Sequence, residues 1–286
     1  MRPLSRVCSI LLRVVSFVYL PMISACGIDK STDQTDVPGV ALIPAEEVVA
    51  RALPSDAAAP DRQVYRYLSG EPSSLDVSVA LYESLGSAFL FERLCMLDEN
   101  EGLIPGAADR WESSSDGRTW TFYLHPGTRW SDGTPVTAYD FEYTFKRLLH
   151  PDGGNVYAFF YYDIKGAKAF NQRKIADPNA LGVRAMDDLT LVIETEEPCS
   201  FLPFVLAFFT SVPAPRWQVE KFGPKWSELG NNVSNSSWRL NTWDKGAGMS
   251  FALNDQYNGP FKGYLERLDF KFVLPGWQGL PSYENN

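Results

Sequence analysis

Twenty residues near the middle of the chain leave little freedom in how they fold: Trp130 to Leu149 reads WSDGTPVTAYDFEYTFKRLL. Asp132-Gly133 supplies a tight turn, and Pro135 delays any helix until Thr137. The Thr137 hydroxyl can then cap the amides of the next turn, and Asp140, three residues on, nearly completes a capping box. Phe141, Phe145, Leu148 and Leu149 follow at i, i+4, i+7 and i+8, one face of a helix, with Lys146 and Arg147 toward the negative end of its dipole. The run His150-Pro-Asp-Gly-Gly stops it. Just upstream, Thr119 to Leu124 (TWTFYL) alternates as a strand, with Trp120, Phe122 and Leu124 on the face predicted as core. Folding accounts for every strong residue in this corner, so it reads as scaffold rather than active site.

The rest of the chain alternates strand and helix patterns without an internal repeat, which predicts a mixed α/β fold. Gln63 to Leu68 reads as a strand, followed by the turn-rich SGEPSSLD and a helix from about Glu83 to Leu94. Val183 to Glu194 reads as a hairpin turning on Asp187-Asp188, and Ser237 to Asn254 as a second hairpin turning on DKGAG. Two adjacent acids invite an acid–base role, but a turn position favours a structural one.

With 286 residues, 45% of them hydrophobic and 14% aromatic, the chain can bury a large core. Its formal charge is −9, and the first 25 residues hold Arg2, Arg6 and Arg13 with no acid, so the remainder is near −12. That is no footprint for nucleic acid. The two histidines, His125 and His150, lie close to neither a Cys nor each other, which argues against a local metal or haem motif. No metal and no cofactor is expected.

Arg2 and Arg6 precede an apolar stretch, Ile10 to Ile23, that is interrupted by Arg13 and Pro21 and is followed by Ser24-Ala25-Cys26. A short apolar run after basic residues reads as a secretory signal peptide over 1–25 rather than a membrane span. The small residues before Cys26 resemble a bacterial lipobox, which predicts cleavage there and lipidation of Cys26, a membrane anchor once several acyl chains are attached. Residues 26–61, rich in Ser, Thr, Asp, Ala and Pro, read as a flexible tether. Cys95 and Cys199 leave two options open, a disulfide or two buried thiols.

Gly106 to Phe141 (GAADRWESSSDGRTWTFYLHPGTRWSDGTPVTAYDF) closely resembles the signature of the family 5 extracellular solute-binding proteins, the oligopeptide- and dipeptide-binding components of ABC importers. The likeness extends through Glu71–Asp76, Leu181–Pro198, Val212–Trp226 and Trp238–Gly259, in the family's order, and covers about Tyr65 to Pro275. It implies a type II periplasmic-binding-protein-like α/β fold in two lobes, occupying 62–286 and incomplete at the C-terminus. The first lobe would comprise about 62–91 and 181–286, and a smaller inserted lobe about 92–180. It implies a short peptide as ligand, the importer's permease subunits as partners, a place in the periplasm or on the outer face of the envelope, and binding rather than catalysis. By position against the matched motifs, Leu81, Tyr82 and Glu83 correspond to a segment running along the peptide backbone, and Tyr157 to an aromatic at the cleft.

The departures are also informative. Family members usually run well beyond the length of this chain, so a truncated product is expected, with weak peptide binding and exposed apolar faces such as that of Leu265 to Leu274. His125 stands where Lys or Arg is usual, and Ser234 to Trp238 where a Gly-containing turn is usual. A second class is therefore carried alongside the first: a membrane-anchored structural or interaction module that has lost ligand binding.

Overall fold

The computed structural model describes residues 57–59, 62–79, 85–261, 263 and 265–273, all within the unit Leu42–Asn286. The expected signal peptide, Cys26 and nearly all of the tether lie outside the described residues. The strands are β1 (Val64–Ser69), β2 (Cys95–Leu97), β3 (Leu103–Pro105), β4 (Ala108–Ser113), β5 (Thr119–Leu124), β6 (Val183–Ala185), β7 (Thr190–Glu194), β8 (Trp238–Asp244), β9 (Gly248–Leu253) and β10 (Arg267–Phe272). The helices are α1 (Leu85–Leu90), α2 (Ala138–Leu148), α3 (Ala167–Asn171), α4 (Leu202–Leu206) and α5 (Arg216–Phe222).

The corner folds as its sequence dictates. Gly133 takes a positive φ of 88° in the turn, which a residue without Cβ adopts at no steric cost. Thr137 caps α2 in an extended conformation, and the Asp140 carboxylate accepts the Thr137 N–H at 2.9 Å, closing a capping box. The same carboxylate accepts the Trp130 indole N–H at 3.3 Å, so the buried tryptophan and the helix start share one acceptor. Burial pushes Asp140 up to about 6 despite these bonds from Thr137 and Trp130. Phe141, Phe145, Leu148 and Leu149 are all fully buried. Each such side chain contributes roughly 1.5–3 kcal/mol of transfer free energy.

Two four-stranded sheets carry the fold. One runs in the order β4-β5-β7-β6, antiparallel throughout; the other runs β1-β10-β9-β8, with β1 parallel to β10 and the rest antiparallel. The small β2-β3 pair stands apart from both. Both hairpins turn where the sequence places them: Leu189 donates its N–H to Asp187 Oδ1 at 2.8 Å in the first, and Ala247 donates to the Asp244 carbonyl at 3.0 Å in the second.

Two expectations need correction. The helix drawn from about Glu83 to Leu94 ends at Leu90, because the next amides find partners elsewhere: Glu92 N–H donates to Asn235 Oδ1 at 3.1 Å and Leu94 N–H to the Ser211 carbonyl at 3.1 Å. Leu268 and Phe270 of the Leu265 to Leu274 segment are buried rather than exposed. Phe89 from α1 meets Phe270 edge-on at 5.4 Å, and Phe251 does so at 5.3 Å. β7 pairs with both β6 and β5, so one sheet joins strands on either side of residue 181.

Candidate functional site

Of the residues expected at a ligand, Tyr157 is described, whereas Leu81, Tyr82 and Glu83 lie outside the described residues. Tyr157 is half-buried and stands just before a single 3-10 turn, Ala158–Tyr161. Its ring meets Phe208 and Phe209 edge-on, with centroids 5.3 and 5.1 Å away, and stacks on Phe160 at 6.3 Å. Phe159, stacked on Phe160 at 4.3 Å, is exposed. The cluster thus forms a continuous patch of aromatic area whose side chains carry few rotatable bonds.

Two polar side chains that sequence reasoning missed hold the neighbouring backbone. Asn155 is buried, and its amide nitrogen donates to the carbonyls of Val77 (2.8 Å) and Ser78 (3.0 Å), while its Oδ1 accepts the Tyr157 N–H at 2.8 Å. Asp76, with its side chain 4% exposed, takes a two-pronged ion pair from Arg147 of α2, at 2.7 Å to Oδ2 and 3.3 Å to Oδ1. The Trp226 indole donates to Asp76 Oδ2 at 2.7 Å, and the Ser78 N–H to Oδ1 at 2.9 Å. Arg147 also donates to Ser78 Oγ at 3.2 Å. Asp76 does lie in the SGEPSSLD stretch, but its sequence context says only "turn"; its partners are 71 and 150 residues away.

A third polar centre lies at Glu92. It is buried, accepts the Tyr257 hydroxyl at 2.9 Å, and is pushed up to about 7 by burial, against that hydrogen bond and with some help from the charge of Asp109. Tyr257 in turn accepts the Phe261 N–H at 3.1 Å. Asp109 itself faces His125 Nδ1 at 2.9 Å. The sequence sign for Glu92 was an acid set in the apolar run FLFERLCML. Among the described residues, no group of three or more His, Cys, Asp or Glu is placed to hold a metal ion. Cys95 and Cys199 are both buried free thiols.

With one antiparallel and one mixed sheet, the fold is that of a type II periplasmic binding protein, in part. A solved murein tripeptide-binding protein, MppA in its unliganded open form, overlays 82% of this chain with a TM-score of 0.75 at 30% identity, using 46% of its own length. The Haemophilus influenzae OppA complex with RPPGFSPFR overlays 79% with a TM-score of 0.73 at 29% identity, using 45% of its length. A family model described as bacterial extracellular solute-binding proteins, family 5 Middle, matches residues 102–278. The chain belongs to that family. It is 35% identical over 235 residues to the periplasmic oligopeptide-binding protein OppA of Salmonella typhimurium, across 80% of this chain and 43% of the relative. It is 34% identical over 226 residues to the periplasmic murein peptide-binding protein MppA of Escherichia coli, across 77% of this chain and 42% of the relative. The chain spans less than half the length of these curated relatives.

Proposed function

We propose that this chain captures short peptides outside the cytoplasmic membrane for delivery to the permease of an ABC importer, and that it does so by binding without chemical conversion. The observation that carries this reading is the overlay of 79% of the chain on a relative solved in complex with RPPGFSPFR; in this reading the Tyr157 cluster forms an aromatic wall of the cleft. Leu81, Tyr82 and Glu83 complete the peptide-contacting set by their place against the family's motifs. The two sheets support a division into lobes in which β4-β5-β7-β6 belongs to the inserted lobe and β1-β10-β9-β8 to the first.

NMR titration of the soluble form starting after Cys26 with a pooled di- to pentapeptide library tests the ligand. Dose-dependent shifts at Tyr157, Phe208 and Phe209 are expected; saturating peptide that moves none of them overturns the reading. The lipobox-like Ser24-Ala25-Cys26 supports anchoring at Cys26 after removal of 1–25. Intact-mass measurement on the expressed protein is expected to show a lipidated N-terminal Cys26, and an unmodified Cys26 would refute that part alone.

A further inference from the structure

We propose that Asn155 is a positioning residue that locks Tyr157 to the buried Asp76–Ser78 stretch, so that the aromatic contact is held in place before a peptide arrives. The inference rests on the peptide-binding reading of Tyr157.

Asn155 sits two residues before Tyr157 but nearly 80 residues from Val77 and Ser78, and its one amide group bonds both places. The orientation of that amide is set by its partners. Turned over, it would point an oxygen at two carbonyls and an N–H at an N–H. Nothing in a sheet ladder holds residues 76–78, yet their polar groups are gripped from two further directions: Arg147 and Trp226 on the Asp76 carboxylate, and Arg147 again on Ser78 Oγ. Leu75 and Val77 are buried on either side of Asp76. An irregular segment thus has the rigidity of a regular element, and Asn155 transmits that rigidity to Tyr157. A contact held in place before the ligand arrives loses less ordering entropy on binding, which is how such a strut raises affinity without touching the peptide.

Satisfying two carbonyls is a purely structural role, and the experiment separates it from positioning. Hydrogen exchange on the ligand-free chain is the first arm. Asn155→Ala is expected to speed exchange of the Tyr157 amide by roughly tenfold or more, with α2 and β5 unchanged. Asn155→Asp, which keeps an acceptor for that amide but turns oxygen toward the Val77 and Ser78 carbonyls, is expected to give no rescue, and full rescue would reduce Asn155 to a local cap; unchanged protection in α2 and β5 shows that each variant folds. The second arm is a double-mutant cycle on peptide affinity. Asn155→Ala is expected to weaken binding about tenfold in the parent and to add nothing in a Tyr157→Ala background. Unchanged Tyr157 exchange in Asn155→Ala, or equal affinity losses in both backgrounds, overturns the proposal. If Tyr157→Ala binds peptide as well as the parent, the functional reading of Tyr157 fails, and the exchange arm still decides whether the lock exists.

Discussion

Replacing Arg147 with Met would leave the Asp76 carboxylate buried with two neutral donors and no cation. Removing one partner of a buried ion pair costs about 3–5 kcal/mol, far more than an exposed pair. Urea denaturation of Arg147→Met is expected to show that loss, and adding Asp76→Asn is expected to recover part of it, because the stranded charge is then gone. Glu92 makes a prediction of opposite character. Its folded value, about 7, lies above its ordinary value of 4.5, so its protonated form is the one the fold favours. The stability it lends is fully present below about 4.5 and is lost as pH rises through 7. At up to about 3 kcal/mol, this should appear as a urea midpoint that falls between about pH 4.5 and 7 and levels off above. Glu92→Gln is expected to flatten that slope; an unchanged slope would assign it to another group.

At the scale of elements, β9 begins at Gly248, where an added Cβ would lie 2.3 Å from the Phe270 carbonyl oxygen of β10. Backbone cannot swing aside as a side chain can, so Gly248→Ala has to part the two strands. A cost of about 1–3 kcal/mol is expected from forced overpacking, with amide protection lost first in β9 and β10. These elements also show what a one-dimensional reading captures. The capped helix α2 and both hairpins were legible because cap, period and turn chemistry are local, written within a few residues of where they act. The end of α1 was not legible, since Glu92 and Leu94 spend their amides on Asn235 and Ser211. Asn155 and Asp76 escaped for the same reason: each has ordinary neighbours in sequence and decisive ones in space. Tyr157 was singled out only through likeness to the family, and its aromatic companions Phe208 and Phe209, some 50 residues on, gave no period to detect.

For the molecule as a whole, Cys95 and Cys199 test how tightly the interior is sealed. Burial raises both thiols, Cys199 to about 11 with the Asp163 charge adding to the rise, so neither is a ready nucleophile. The soluble form starting after Cys26 is expected to react with a thiol reagent slowly while folded and to yield two equivalents in denaturant. A disulfide would yield none. The pairing of β1 with β10 joins Val64–Ser69 to Arg267–Phe272, strands about 200 residues apart. On a ribosome adding roughly 5–20 residues per second, β1 emerges some tens of seconds before its partner exists. Throughout that interval its Tyr65 and Tyr67 have no β10 to lie beside, and the strand is open to pairing with any other extended chain. A protein wired in this way cannot complete this sheet until its last strand has been made, however early its first strand emerges.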